Sequence, residues 1–190
     1  MTYSNDYWVW SEPQLTINDI KEANQLIREE HAGYEEKNLG AYDEDGKPLK
    51  CITPKTVFLG TIAKLPILYN LIQQGLFTCN YKFGYSTFSL NPHDTLLLNE
   101  YSAEREESYG SHHDASKSDI YDLKMTLLIN LSEEEYEGGD FIVNSNNLGE
   151  RFKKPGSMIL FRSHLMHEVT PMIKGDRKTL AHFIGGPKLL

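Results

Sequence analysis

The sequence predicts a mainly β protein whose core is a jelly roll, a closed double sheet, with the amino-terminal helices packed on one of its sheets. Two observations carry this prediction. Apolar residues at helical spacing occur only before about residue 75, whereas short β-rich runs follow one another from residue 83 onward. About seven such runs in roughly a hundred residues, separated by turn residues, are typical of a sandwich or barrel.

The composition is that of a globular protein. The chain has 190 residues, of which 39% are hydrophobic and 11% aromatic, and this length suits one domain with a substantial core. The sequence contains no internal repeat and no low-complexity tract. We therefore expect a single domain over residues 1–190, in which residues 1–94 form a helical and strand support region and residues 95–187 form the β core.

The charge balance argues against binding to nucleic acids. Lys and Arg number 19 and Asp and Glu number 27, which gives a net charge of −8, and such a chain lacks the positive field that attracts a phosphate backbone. Cys51 and Cys79 lie too far apart in sequence for a zinc or thioredoxin motif, so we expect two reduced thiols. Without a secretory signal or an apolar run of ~20 residues, we expect a soluble cytoplasmic protein that is not bound to membranes.

The amino-terminal region predicts two helices. Thr16 and Asp19 resemble a capping box, and apolar residues recur at helical spacing to about Glu30. Residues 33–50 are rich in glycine and charge, which predicts a loop that is either mobile or covers a site. A second helix is expected from Pro66 to about Gln74, because proline suits the first helical turn and the following glycine ends a helix.

Strands are expected on both sides of that second helix. The run Lys55–Ile62 precedes it, and the β-rich runs of the core follow it. Turn pairs such as Asn91-Pro92 and Lys174-Gly175 separate these runs. The runs of the core cover residues 83–89, 95–101, 123–131, 140–144, 157–162, 167–172 and 177–184.

The triplet His112-His113-Asp114 is a candidate metal site. On an extended segment, residues two apart point the same way, so His112 and Asp114 present an imidazole and a carboxylate together. A second imidazole from a distant strand would complete a set of two nitrogens and one oxygen that leaves three coordination positions open, as in non-haem Fe(II) oxygenases. Taken alone, however, the triplet favours an exposed polar turn.

Arg177 strengthens the case for a site. It lies on the last predicted strand among apolar residues, ten positions after His167, and a guanidinium in such surroundings needs an anionic partner. Its planar fork suits the two oxygens of a carboxylate. Thr179, two residues on, faces the same way on a strand and could support that carboxylate. The alternative is an ordinary salt bridge to an acidic side chain.

A series of motifs runs through the second half of the chain, over about residues 95–187. They are Tyr101, Tyr109-Gly110-Ser111-His112-His113-Asp114, Gly138-Gly139-Asp140-Phe141, Pro155-Gly156-Ser157, His167-Glu168-Val169-Thr170-Pro171 and Gly175-Asp176-Arg177. Their order resembles the Fe(II)- and 2-oxoglutarate-dependent dioxygenases of the prolyl 4-hydroxylase group, particularly the compact PKHD-type hydroxylases of bacteria and phages. The resemblance implies a double-stranded β-helix with a catalytic core.

The resemblance also implies roles for individual residues. It implies iron held by His112, Asp114 and His167, with Arg177 pairing the distal carboxylate of 2-oxoglutarate. Tyr101 matches a position where a tyrosine often contacts that cosubstrate. Tyr109 is similar to an aromatic beside the metal that often meets the substrate. Phe183 stands near a position where relatives often have tryptophan, which bears on the shape of the pocket.

Two neighbouring histidines compete with the implied ligands. We prefer His167 to His164 because only His167 has Val and Pro at +2 and +4 and a cation at +10. We prefer His112 to His113 because alternate residues of a strand face opposite ways, and His113 precedes Asp114 directly. For Gly138-Gly139 we expect only the role of a hairpin turn.

The implied reaction is hydroxylation of a peptidyl proline at C4, with O₂ as oxidant, succinate and CO₂ as products and ascorbate as a further reductant. The partner is then a proline-containing protein or peptide, in the host cytoplasm if a phage encodes the chain. Hydroxylation of another amino acid or a small molecule stays open. So do a cupin-like binding module without catalysis and a purely structural jelly roll. The sequence does not specify an oligomeric state.

Overall fold

The computed structural model describes residues 2–3, 5–10, 12–30, 53–114 and 120–188. The loop expected over residues 33–50 and Cys51 lie outside these ranges. Within them, the strands are β1 (Thr2–Tyr3), β2 (Tyr7–Val9), β3 (Thr53–Phe58), β4 (Thr95–Ser102), β5 (Tyr109–His112), β6 (Tyr121–Asn130), β7 (Glu137–Gly138), β8 (Phe141–Val143), β9 (Asn146–Asn147), β10 (Met158–Arg162), β11 (His167–Val169), β12 (Met172–Lys174) and β13 (Asp176–Pro187). The helices are α1 (Ile17–Glu30), α2 (Leu59–Ile62), α3 (Pro66–Phe83) and α4 (Gly149–Phe152), with a 3₁₀ turn at Ala103–Arg105.

Two antiparallel sheets form the two layers of the fold. The larger sheet has seven strands in the order β1-β2-β10-β6-β13-β4-β3, and the smaller has four in the order β5-β11-β8-β9. Strands β12 and β7 form a separate pair. One apolar cluster lies between the two main sheets, and another lies between the large sheet and helices α1 and α3. The predicted fold class, a jelly roll with helices on one sheet, is confirmed.

Strand β6 shows how the large sheet serves both clusters. Met125, Leu127 and Ile129 pack with the helices, whereas Leu128 packs with the small sheet, because successive strand residues point to opposite faces. The buried polar Thr126 faces the same interior as Leu128. The alternation therefore brings a hydroxyl into the space between the sheets.

The first predicted helix is confirmed, together with its cap. The Thr16 backbone N–H donates to Asp19 Oδ2 at 2.8 Å, and the Asp19 N–H donates to Thr16 Oγ1 at 3.2 Å. This reciprocal pair satisfies donors that the first turn would otherwise leave free. Burial of Ile20, Ala23 and Ile27 fixes the helix on the sheet.

The second predicted helix is longer than expected. It does not end at Gly75 but runs to Phe83, so the strand predicted over residues 83–89 is wrong, and residues 84–90 have no regular structure. Gly75 is buried inside α3, where it packs directly against Leu127. A Cβ at this position would lie only 2.6 Å from Leu127 Cδ2. This glycine therefore marks a close helix-to-sheet approach and not a helix end.

Two further boundaries differ from the predictions. The strand expected over residues 55–62 ends at Phe58, and Leu59–Ile62 turn into α2, since short apolar runs do not separate strand from buried helix. The strand expected over residues 167–172 stops at Val169, and Met172 begins β12 in another sheet. Pro171 lies between them and cannot donate to a ladder.

None of the helices in the described part of the chain is both long enough and apolar enough to cross a membrane. The single-domain division at residues 94 and 95 stays a prediction. In the structure, however, β2 and β3 from the first half pair directly with β10 and β4 from the second. The large sheet is therefore built from both halves of the chain.

Candidate metal centre

The three predicted ligands meet between the sheets at one end of the smaller sheet. His112 ends β5, His167 begins β11, and the two lie opposite each other in the antiparallel ladder. Asp114 follows two residues after His112. The Nε2 atoms of His112 and His167 lie 3.9 and 3.7 Å from the Asp114 carboxylate. One donor atom from each residue lies within 4.8 Å of the others, which is close enough for all three to bind one ion.

Backbone carbonyls orient both imidazoles. His112 Nδ1 lies 2.8 Å from the Gly110 carbonyl oxygen, and His167 Nδ1 lies 2.9 Å from the Leu165 carbonyl oxygen. A carbonyl oxygen only accepts, so the proton of each neutral ring is on Nδ1 and the lone pair is on Nε2. Both Nε2 lone pairs are thus available to a metal, and each ring makes through Nδ1 the hydrogen bond to a carbonyl that metal-binding histidines usually have.

The Asp114 carboxylate is held by a short hydroxyl chain. Thr126 Oγ1 donates to Asp114 Oδ2 at 2.6 Å, and Thr126 Oγ1 and Ser163 Oγ lie 3.0 Å apart. The Asp114 backbone N–H donates to the Ser163 carbonyl at 2.9 Å. Thr126 and the Ser163 backbone thus fix the carboxylate beside the two imidazoles.

Aromatic rings shield the centre from water. Phe161 and Phe141 lie 4.7 and 5.9 Å from the His167 ring, centroid to centroid. Burial lowers the pKa of His167, and the nearby Asp114 carboxylate opposes this shift. The neutral imidazole that burial favours is the form that binds a metal.

A cavity of about 130 Å³ is bordered by the three ligands and by Arg177. The Arg177 side chain is 1% exposed. Its Nη1 donates a long hydrogen bond of 3.4 Å to Thr179 Oγ1, whereas Nε and Nη2 have no hydrogen-bond partner within the described residues. The alternative of an ordinary salt bridge finds no support in those residues. A buried guanidinium with free donors calls for an anion in the cavity.

Arg177 is supported by rings and by a glycine. Its guanidinium carbon lies 4.8 Å from the centroid of Tyr101 and 5.7 Å from that of Phe152. Gly139 adopts a left-handed conformation with a φ of 57°, and a Cβ there would lie 2.5 Å from Met172 Sδ and 3.1 Å from Arg177 Cδ. The expected hairpin turn at Gly138-Gly139 is wrong, because β7 pairs with β12 whereas β8 pairs with β11 and β9. Gly139 instead leaves room for Met172 and the arginine.

The remaining predicted site residues also line the cavity. Tyr101 is buried opposite Arg177 in the β4–β13 ladder, and burial raises the pKa of its hydroxyl to about 12. Thr179 is 1% exposed. The Tyr109 ring lies 3.9 Å from the His112 ring, centroid to centroid. All three border the same space.

The two competing histidines lie elsewhere. His113 and His164 are exposed and do not belong to the cluster of donor atoms. Three other polar residues at the site escaped the sequence reasoning: Thr126 and Ser163 beside Asp114, and Asn99, whose buried Oδ1 has no hydrogen-bond partner in the described residues and which borders the cavity. The available signal was a polar residue within an apolar strand, as in Lys124-Met125-Thr126-Leu127-Leu128.

The donor set and its surroundings fit a divalent transition metal with an anionic partner. Two imidazoles and one carboxylate on one side of an ion leave positions open for other ligands, which is the pattern of non-haem Fe(II) sites. Arg177 Nε and Nη2, which have no hydrogen-bond partner in the described residues, belong to a side chain that borders the same cavity. One cavity therefore offers both a set of metal ligands and donors for an anion.

The comparisons with known proteins agree with this geometry. Residues 96–185 match the profile of the 2OG-Fe(II) oxygenase superfamily. The matched segment, 90 of the 190 residues, is similar to this superfamily. It contains all three candidate ligands and Arg177, and the superfamily implies Fe(II), 2-oxoglutarate and O₂.

Individual relatives point the same way. The chain is 40% identical over 90 residues to a PKHD-type hydroxylase of Acinetobacter baumannii (strain AYE), covering 43% of this chain and 38% of that relative. Viral collagen prolyl hydroxylase from Paramecium bursaria Chlorella virus-1, in complex with 2-oxoglutarate, gives a TM-score of 0.66 at 13% identity, over 95% of this chain and 96% of the other.

A further solved structure is a prolyl hydroxylase in complex with a hypoxia inducible factor peptide fragment, from Trichoplax adhaerens. It gives a TM-score of 0.65 at 16% identity and covers 95% of this chain and 84% of the other. At such identities these structures establish the fold alone. The chain spans less than two-fifths of the length of the curated relatives it matches first.

Thr126→Val should weaken metal binding because the variant keeps the shape of the side chain but cannot donate to Asp114 Oδ2. We expect the affinity for Mn(II) or Co(II), measured by calorimetric titration, to fall about 10- to 100-fold, as for other second-shell partners. Thr126→Ser keeps the hydroxyl and should bind metal nearly as the parent does. If the valine variant also matched the parent, Thr126 would have no role in holding Asp114.

Proposed function

We propose that this chain is an Fe(II)- and 2-oxoglutarate-dependent oxygenase that hydroxylates an unactivated C–H bond, with a peptidyl proline as substrate and succinate and CO₂ as products. One observation carries the proposal. The His112, Asp114 and His167 donors and the guanidinium of Arg177, whose Nε and Nη2 have no hydrogen-bond partner in the described residues, border the same cavity. A metal-bound diacid needs both groups beside one space.

His112, Asp114 and His167 hold the iron. Bound Fe(II) and 2-oxoglutarate together supply the activation of O₂, which side chains alone cannot provide. The protein's part is to fix the ligands beforehand. The Gly110 and Leu165 carbonyls set both rings, and Thr126 sets the carboxylate, so little rearrangement is needed when the ion binds.

Arg177 binds the distal carboxylate of 2-oxoglutarate through its free Nε and Nη2 donors. The buried surroundings strengthen this charge-assisted pair, because little water competes for the donors. Thr179, which already accepts from Nη1, contributes its hydroxyl to the same carboxylate. Tyr101, whose ring lies against the guanidinium, contacts the cosubstrate from the neighbouring strand.

Tyr109 and Phe183 lie where a substrate enters. The Tyr109 ring lies tilted against the His112 ring and is only partly buried, and Phe183 borders the cavity from β13. A substrate carbon that approaches the open side of the ligand set therefore contacts Tyr109. Phe141 and Phe161 keep the inner side of the centre dry, which limits side reactions with water.

Two solved relatives support the proline substrate. They are a collagen prolyl hydroxylase and a prolyl hydroxylase bound to a peptide. The proposal further includes C4 of the proline as the position oxidised, ascorbate as the reductant that restores oxidised iron, and the cytoplasm as the location. Residues 95–187 are the catalytic core of this assignment.

Proline-containing peptides should gain 16 Da when incubated with the purified chain, Fe(II), 2-oxoglutarate, ascorbate and O₂. Mass spectrometry measures the gain, and fragmentation assigns it to the proline. Peptides with alanine in place of proline are the control. Succinate formation without a hydroxylated peptide would indicate that the substrate is another amino acid or a small molecule. A chain that forms no succinate in the presence of any substrate and shows no Fe(II)–2-oxoglutarate absorption band would be a binding module.

His112→Ala and His167→Ala should abolish succinate formation, because each removes one of only two imidazole donors. His113→Ala and His164→Ala remove exposed histidines nearby and should leave succinate formation within about twofold of the parent. Metal content of anaerobically purified protein should follow the same division. Equal losses in both pairs of variants would contradict the assignment of the ligands.

Arg177→Ala should raise the Michaelis constant for 2-oxoglutarate by about two orders of magnitude, since a desolvated charge-assisted pair is worth several kcal/mol. Arg177→Lys keeps the charge without the fork and should give a smaller increase. Lys178→Ala is the matched control, because this neighbour pairs with Glu100 on the other side of the strand. An unchanged constant in Arg177→Ala would place the cosubstrate anchor elsewhere.

A further inference from the structure

A second cavity, of about 540 Å³, lies on the helix-facing side of the large sheet. It forms where β13 extends beyond the end of its neighbour β4. The last residue of β13 that pairs with β4 is Ala181, opposite Leu97, and β13 continues to Pro187. The loop before β4 crosses this gap, and the Phe88 N–H donates to the Gly185 carbonyl at 2.9 Å. We call this cavity the β13 groove.

Asp94 gives the β13 groove a negative charge. Its Oδ2 accepts from the Asn91 N–H at 2.8 Å, which fixes the carboxylate. The structure gives Oδ1 no hydrogen bond and Asp94 no ion pair within the described residues, and no Lys or Arg of those residues borders the groove. The whole chain has a net charge of −8. A cation is the ligand group that this wall favours.

The other walls suit a long side chain with a cationic end. The rings of Phe88 and Tyr121 meet edge to face with their centroids 6.3 Å apart, and Leu76, Leu123 and Ile184 border the same space. Aliphatic walls bury the methylene stem of a lysine or arginine, and aromatic faces attract its charged end.

His182 does not interfere with a cation here. It borders the groove, is 5% exposed, and its Nδ1 has no hydrogen-bond partner among the described residues. Burial lowers the pKa of His182 to about 4, with the Asp94 charge opposing the shift. The ring is therefore neutral near pH 7 and leaves the Asp94 charge uncompensated.

Phe183 connects the β13 groove with the metal centre. It borders both the groove and the cavity that holds the candidate ligands. On the ladder it lies opposite Thr126, the residue that holds Asp114. An extended chain that reaches the metal centre past Phe183 therefore arrives at the groove within a few residues.

We infer that the β13 groove binds a lysine or arginine side chain of the peptide substrate, a few residues away from the residue that is oxidised. This inference rests on the proposed function. Asp94 pairs with the cation, Phe88 and Tyr121 contact it, and the leucine and isoleucine walls cover its stem. The groove thus selects peptides with a basic residue near the target residue.

The test uses binding, so it does not depend on turnover. Fluorescent nonapeptides with a central proline carry arginine, alanine or glutamate at each other position in turn, and anisotropy measures their affinity for the full chain with Mn(II) and 2-oxoglutarate. At one position or two, we expect arginine to bind roughly five- to tenfold more tightly than alanine, as for a partly buried ion pair with aromatic contacts. Glutamate should bind more weakly than alanine there.

Asp94 variants identify the groove as the origin of that preference. Asp94→Asn keeps the acceptor for the Asn91 N–H and should abolish the preference for arginine, whereas Asp94→Lys should shift the preference to glutamate. Glu134→Gln removes an exposed charge on a distant loop and should change nothing. Thermal denaturation confirms that each variant is folded.

Two outcomes overturn the inference: no preference for arginine at any position, or a preference that persists in Asp94→Asn. Free arginine amide that binds as tightly as the peptides, and only when Asp94 is present, would make the groove a small-cation site and would also overturn it. Succinate formation by the parent is measured in parallel. If succinate forms normally and the arginine preference does not depend on Asp94, only the inference about the β13 groove is refuted. If no succinate forms but the preference depends on Asp94, only the oxygenase proposal is refuted.

Discussion

The antiparallel pairing of β11 with β5 is the constraint on which the site depends. It sets His167 opposite His112 although the two are far apart in sequence. A shift of this register by one residue would turn His167 to the other face of the sheet, because side chains alternate along a strand. Packing of Phe141 and Phe161 around His167 resists such a shift. The ladder and the apolar core together specify the geometry of the three donors.

Burial of Arg177 is the feature of this arrangement that most opposes folding. Enclosing a guanidinium with two free donors opposes folding, and the structure tolerates it between the rings of Tyr101 and Phe152 and beside the bare backbone of Gly139. Such a locally unfavourable group in an otherwise consistent core is what physical reasoning expects of a functional position. An anion that binds to Arg177 in the folded chain alone raises the free energy of unfolding.

The spacing of His112 and Asp114 is local, so sequence reasoning could pair them, whereas His167 came only from the resemblance of the motif series to a family. The two-residue alternation was enough to prefer His112 to His113, and the structure leaves His113 exposed. Tertiary contacts decided what local patterns could not. Gly75 has the sequence signal of a helix end, yet it lies within α3 because Leu127 packs against it. Thr126 is unremarkable within its strand until Asp114, twelve positions earlier, is placed beside it.

Phe183 is the shared wall of the β13 groove and the metal cavity. A ligand that displaces this ring from one side changes the free energy of ligand binding on the other side. By thermodynamic linkage, the factor by which an occupant of the groove alters affinity in the cavity equals the factor by which an occupant of the cavity alters affinity in the groove. One aromatic side chain can therefore couple ligand binding in two neighbouring cavities without any movement of the sheet.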